Sequence, residues 1–228
     1  MNSRGSMRRS VRAVLHNLRH GRRIAEQKKT LRALSEQGSG RIVIGSSGTA
    51  PEGWVATDRE VIDLLREDTW LRYFAVGSLD AILAEHVWEH LSAEEAARSA
   101  TTCLRFLKPG GYLRVAVPDG LHPDPAYIEQ VRPGGSGSGA DDHKVLYTYD
   151  SFGDLFAREG FDVKLHEYYD RNGRFQFNEW DPGDGLIRRS MRFDARNSPG
   201  HLAYTSIILD AVKPVGAHSA EPGQSTRG

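Results

Sequence analysis

The sequence contains a single cysteine, Cys103, in 228 residues. A disulfide framework is therefore excluded, and a reducing compartment fits; a cytoplasmic protein is the expectation. Cys103 falls in a predicted helix, where a small buried hydrophobe is its plain reading. No apolar run approaches the roughly 20 residues that a membrane-crossing helix needs, so no membrane partner is expected. Net charge is lacking as well, since 30 Lys/Arg meet 30 Asp/Glu. There is no internal repeat. Hydrophobic residues make up 39%, which at this length is enough for one large domain with a real core.

The charge balance is uneven along the chain. Residues 1–37 hold ten Lys/Arg against Glu26 and Glu36, a surplus of eight that the rest of the chain offsets. Such a basic arm suits nucleic acid, an anionic substrate or a partner subunit, and equally a solvated helix. Val11, Val14, Leu15 and Leu18, then Ile24, Leu31 and Leu34, repeat at helical spacing. Gly21 is expected to bend or break that run. The helix would serve as a lid or as the seam of a homodimer. No stripe of basic and aromatic residues accompanies it, so nucleic acid is not the expected partner.

After Gly38-Ser39-Gly40 the pattern changes. Arg41–Ile44 reads as a strand running into Gly45-Ser46-Ser47-Gly48. Trp54–Thr57 reads as a second strand ending at Asp58, and residues 59–69 suit a helix. Leu79–Ala84 is a buried-type strand. Ser92-Ala93-Glu94-Glu95 is a capping box, which starts a helix to about Leu107. Tyr112–Val117 is a strand ending at Asp119. Residues 133–140, rich in glycine and serine, read as a mobile loop. A helix over 150–160 precedes strands at Val163–Tyr169 and Ala203–Lys213. Asn172-Gly173 with Phe175 and Phe177 reads as a hairpin. Residues 214–228 are small and polar, a disordered tail by composition. Strands alternating with helices imply a mainly parallel sheet, covered on both faces. The polar clusters at 45–49, 58, 85–90 and 119–124 all follow strands, where ligands sit in such sheets.

Two of these features carry chemistry by themselves. A glycine turn after a strand lets backbone N–H groups approach an anionic ligand. An aspartate at the end of the next strand suits both hydroxyls of a ribose, and suits a helix cap equally well. His86-Val87-Trp88-Glu89-His90 spells the H-x-x-E-H pattern of a zinc site. That pattern needs one helical face, and here a strand precedes it while the next helix caps only at Ser92. No metal ligand set is therefore expected.

The stretch from Gly45 to Asp58 resembles the first two cofactor motifs of class I S-adenosylmethionine (SAM)-dependent methyltransferases. Ser78–Leu91 is similar to that family's fourth strand and following loop, and Leu107–Leu113 to the Lys-Pro-Gly-Gly turn before strand five. The resemblance covers roughly residues 41–213 and implies a Rossmann-like α/β fold. Its sheet would be seven-stranded and mainly parallel, with a late antiparallel strand and helices on both faces. A basic helical extension over 1–40 would precede it and the tail over 214–228 follow it. SAM is the implied cofactor, held by Gly45, Ser46, Gly48, Asp58, Leu64, Glu85 and His86. One departure stands out: Val43 and Ile44 occupy the stretch of strand one where many members carry an acidic residue.

Methyl transfer needs alignment of an acceptor, and a hydroxyl or ammonium acceptor must also lose a proton. The candidate bases are His143 first, beside Asp141 and Asp142, then Asp119 and His86. Trp88, His90, His122, Asp142, Tyr147 and Trp180 are the candidate acceptor contacts, although aromatic residues at strand ends are more often core. The expected activity is methyl transfer to an oxygen or nitrogen of a small molecule. The alternatives are a methyltransferase-like fold without methyl transfer and a nucleic-acid methyltransferase.

Overall fold

The structure is a computed structural model that describes residues 3–38 and 40–216, with side chains from residue 17 onward. The side chains of Val11, Val14 and Leu15 from the helical stripe, and residues 217–228 of the expected tail, lie outside what is described. The element order is α1 (Ser3–Glu36), β1 (Arg41–Ile44), β2 (Val55–Ala56), α2 (Glu67–Leu71), β3 (Leu79–Glu85), α3 (Ala93–Phe106), β4 (Leu107–Pro118), α4 (Pro125–Val131), α5 (Tyr149–Arg158), β5 (Asp162–Tyr169), β6 (Phe175–Phe177) and β7 (Ser206–Val212). Among the described residues no helix is long and apolar enough to cross a membrane.

The seven strands form one sheet in the order β2-β1-β3-β4-β7-β5-β6. β1 pairs in parallel with β2 and β3, and β3 with β4. β7 enters antiparallel between β4 and β5, and β6 closes the edge as a hairpin with β5. The fold is thus a Rossmann-like α/β sheet with the late antiparallel strand in its expected place, but it is mixed rather than mainly parallel: three pairings are parallel and three antiparallel. The period-two alternation of the strands sets the two faces. Ile42 and Ile44 of β1, Ile82 of β3 and Leu209 of β7 point into the larger core, with Trp70, Ala100, Phe106, Phe152 and Phe156 from the helices. Val43, Leu83 and Ile208 point the other way, against Trp54, Trp180 and Ile187. That second face is covered by irregular chain around residues 178–190 and not by the helices expected on both faces.

This irregular cover is pinned by Arg114, which is 2% exposed. Its Nε and Nη2 donate to the two carboxylate oxygens of Asp210 at 2.7 and 2.8 Å. Its Nη1 donates to the carbonyls of Asp181 and Gly185. His166 Nε2 lies 3.0 Å from the same aspartate. A guanidinium so deep requires this many acceptors, because an unpaired buried charge is costly.

Three local expectations are corrected. α1 runs unbroken through Gly21, so that glycine is tolerated within the helix. Residues 59–66 do not continue a helix. The Asp58 carbonyl accepts from Val61 and Ile62, and then the Asp63 side chain accepts from the Leu65 N–H. That local capping competes with helix propagation and leaves only the short α2. The glycine-rich segment 133–140 is not an open linker. The N–H groups of Gly134, Gly135, Ser136 and Gly137 donate to backbone carbonyls of residues 129–140, folding the segment back against α4.

Candidate active site

The strand order switches direction at β1, with β2 on one side and β3 on the other. An open α/β sheet leaves a crevice at such a point, beyond the carboxyl ends of the strands. Two clefts lie there and share Ile44 and Gly45. The first, of about 310 Å³, is walled by Ser46, Thr49, Leu83, Glu85, Arg188 and Arg189. The second, of about 350 Å³, is walled by Ile62, Leu64, His86, His90, Asp142 and Lys144.

The glycine turn is what allows both clefts to open here. Gly45 has φ 64°, and a Cβ on it would lie 2.9 Å from Val87 Cγ2. Gly48 has φ 84°, and its missing Cβ is replaced by the Cδ of Arg23 from α1. His86, directly after β3, also has a left-handed backbone at φ 57°. For a residue other than glycine this conformation is strained, and such strain gathers at functional sites.

Asp58 sits beneath the turn, 7% exposed. Its Oδ1 accepts from Ser47 N–H at 2.8 Å and from Ser46 Oγ at 3.2 Å. Its Oδ2 accepts from Gln27 Nε2 at 2.9 Å and pairs with Arg23 Nε at 3.2 Å. α1 therefore supplies two residues to the site that sequence reasoning missed. The available signal was faint: Arg23, Gln27 and Leu31 are spaced four apart, and a glutamine stands on a row whose Leu31 is fully buried.

On the β3 side, Glu85 accepts from the backbone N–H groups of Arg188 and Arg189, which ties the irregular segment to the first cleft. Glu89 lies behind His86 with no exposure. His86 Nδ1 is 3.1 Å from Glu89 Oε1, and its Nε2 is 3.0 Å from Ser206 Oγ. Burial opposes ionisation of Glu89, but the neighbouring His86 and His90 outweigh it and hold the carboxyl below its usual range. Serine, histidine and glutamate stand in the order of a hydrolytic triad. Ser206 is sealed, however, and its hydroxyl donates to the Arg189 carbonyl, so it is no nucleophile.

The structure brings only some of the sequence candidates together. Gly45, Ser46, Leu64, Glu85, His86, His90 and Asp142 line the clefts. His143 does not: its Nδ1 is 2.7 Å from the Val131 carbonyl, and Asp142 turns its carboxylate to His90 instead. Asp119 has no exposure, and its two oxygens accept the backbone N–H groups of Leu121 and Tyr169. Burial pushes its pKa up to about 6 in spite of those bonds. It holds the end of β4 to β5 and has no path to a substrate. His122 stacks on Tyr127 at 4.0 Å and lies 3.1 Å from the Leu202 carbonyl. Trp88 packs on Phe156 and Tyr147 on Phe152, both in the larger core. Trp180 lies under the second face, donating to Glu167. For these aromatic residues core packing overrides the binding role.

Comparison with known proteins gives a partial match over the middle of the chain. Residues 50–115 match the family described as Methyltransferase domain. No curated protein matches the sequence. Solved structures with a similar outline include a SAM-dependent methyltransferase from Thermotoga maritima, at 13% identity and TM-score 0.46, covering 76% of this chain and 82% of that one. Another, from Archaeoglobus fulgidus, has 14% identity and TM-score 0.44, covering 82% of this chain and 94% of that one. The matched segment holds β2, β3, α3 and most of β4, the half of the sheet that builds the switch-point clefts. Residues 50–115 thus resemble a methyltransferase domain, and they lie in a sheet of Rossmann-like strand order.

Proposed function

We propose that the protein transfers a methyl group from SAM to an oxygen or nitrogen of a small molecule. The observation that carries this reading is the pair of clefts meeting at Gly45, at the strand-order switch of a chain whose residues 50–115 match a methyltransferase domain. The donor set is suitable. Ile62 and Leu64 offer an apolar wall for a purine; Asp58 lines neither cleft and would reach a ribose by exchanging its bonds to Gln27 and Arg23. Arg188 and Arg189, beside the glycine turn, offer charge for a carboxylate. SAM supplies an activated methyl on a sulfonium leaving group. The chain's own residues would align the acceptor and exclude water. His86 and His90 are the histidines on the wall of the second cleft, and this reading assigns them the acceptor's proton.

A second reading, a methyltransferase fold without methyl transfer, is favoured by one observation: Arg23 and Gln27 already occupy Asp58 and the space beside Gly48. Titration calorimetry of the full chain with SAM and S-adenosylhomocysteine separates the two. Micromolar binding of both supports methyl transfer and turns the problem into a search for the acceptor. No heat with either ligand moves the assignment to the second reading.

A further inference from the structure

We infer that Glu89, His90 and His143 form a binding site for a divalent transition-metal ion of the Zn²⁺ or Co²⁺ type. This site shares His90 with the second cleft, which leaves His86 alone for an acceptor's proton when a metal is bound, and it departs from the sequence-based expectation of no metal. It also does not use the H-x-x-E-H pattern in its helical sense. Glu89 and His90 lie on a single 3-10 turn, Trp88–His90, and the third residue arrives from a distant loop. The Glu89 carbonyl accepts from the N–H groups of Lys144 and Val145, at 2.7 and 3.3 Å, which fixes the His143 segment beside it.

Counting protons and lone pairs carries the inference. His143 Nδ1 faces the Val131 carbonyl at 2.7 Å. A carbonyl only accepts, so Nδ1 bears the proton and, in the neutral ring, Nε2 presents a bare lone pair. That Nε2 points at Glu89 Oε1 across 4.0 Å. Glu89 is fully buried, with Oε1 facing His86 Nδ1 at 3.1 Å and Oε2 without a hydrogen-bond partner, and the buried His90 Nδ1 has the Asp142 carboxylate 3.4 Å away. One ligand atom from each of the three residues lies within 4.8 Å of the other two. Electron-pair donors from the 3-10 turn and the His143 loop thus converge on one spot.

A cation resolves this arrangement. Two imidazoles and a carboxylate suit zinc, cobalt or iron better than magnesium or calcium, which prefer all-oxygen sites. Ligand atoms about 2.1 Å from a zinc ion stand roughly 3.4 Å apart, so the cluster would close by about 1 Å of side-chain movement. The Val131 carbonyl is then the outer partner that fixes the His143 tautomer, as is usual for metal-bound histidine. Three protein ligands leave a position open, and His90 and Asp142 place that position next to the second cleft.

The test uses full-length, tag-free protein stripped with EDTA and titrated with Co²⁺, then Zn²⁺, with Mg²⁺ as comparison. The expected result is one equivalent of Co²⁺ with visible d–d absorption, displaced by Zn²⁺, and a raised melting temperature. His143→Ala and Glu89→Gln should each weaken Co²⁺ binding by at least about 100-fold, with unchanged circular dichroism. Should Glu89→Gln fail to fold, the wild-type spectrum and His143→Ala decide. Absence of a d–d band and of binding heat in the wild type overturns the site, meaning that water or a proton fills the gap. Wild-type affinity in His143→Ala overturns it equally.

Discussion

Gln27 grips Asp58 from both sides, donating Nε2 to the carboxylate at 2.9 Å and accepting the Asp58 backbone N–H on Oε1 at 3.2 Å. A ribose bound at Asp58 would donate its hydroxyls into the same carboxylate oxygens. On the proposed function α1 would therefore compete with the cofactor for this residue. Gln27→Ala removes the competitor and should tighten S-adenosylhomocysteine binding by roughly fivefold, the worth of about one hydrogen bond. Calorimetry measures it. Weaker binding in the variant would place Gln27 among the cofactor's own contacts and refute competition.

The glycine turn separates backbone strain from steric closure. Gly45→Ala places a Cβ in the left-handed region and 2.9 Å from Val87 Cγ2. Gly53→Ala meets the same strain at φ 76° with nothing within 4 Å. The second variant should cost about 1–2 kcal/mol of stability. The first should cost more, and it should also weaken S-adenosylhomocysteine binding because both clefts share that residue. Thermal melts and titrations of the pair test this. Equal losses in both variants would mean that Val87 yields freely.

The contrast between these positions shows how much was legible in the sequence. The glycine turn, the capping box at Ser92 and the Asn172-Gly173 hairpin are short-range signals, and each forms where its chemistry predicts. The switch-point clefts follow from strand order alone. Asp119, His122 and Trp180 could not be sorted from site residues, because a polar or aromatic residue after a strand reads the same whether it faces a cleft or a backbone. Only the fold shows that Tyr169 N–H reaches Asp119 from fifty residues away. Gln27 was illegible for the same reason: its partner is 31 positions distant.

Asp119 gives a pH signature opposite to the common carboxylate case. Its folded pKa is raised from 3.8 to about 6 by burial. Between those values the folded state holds a proton that the unfolded state has released. Stability attributable to this group is therefore highest below pH 4 and falls as pH rises toward 6, by at most about 3 kcal/mol. Asp119→Asn cannot ionise and should lack this fall. Denaturant melts at steps between pH 4 and 6.5 on both proteins measure the difference. Identical slopes would mean that the two backbone N–H groups hold Asp119 ionised throughout.

Arg114 and Asp210 are the deepest ion pair of the second face, with side chains 3% and 13% exposed. Burial opposes ionisation of Asp210, but its hydrogen bonds to Arg114 and His166 prevail and keep its carboxyl below the usual range. Asp210→Ala strips the guanidinium of its counter-ion while the Asp181 and Gly185 carbonyls still hold it in place. Breaking one side of a buried pair costs about 3–5 kcal/mol, which for a chain of this size lowers the melting temperature by about 10 °C. Replacing both residues, as Arg114→Met with Asp210→Leu, removes the stranded charge and should recover much of that loss. It also frees the chain at 181–185, so the first cleft, tied to the same segment through Glu85, should bind S-adenosylhomocysteine more weakly in the double variant than in the wild type. A loss under about 1 kcal/mol in Asp210→Ala would show that water reaches Arg114 and that the pair is not the anchor of this face.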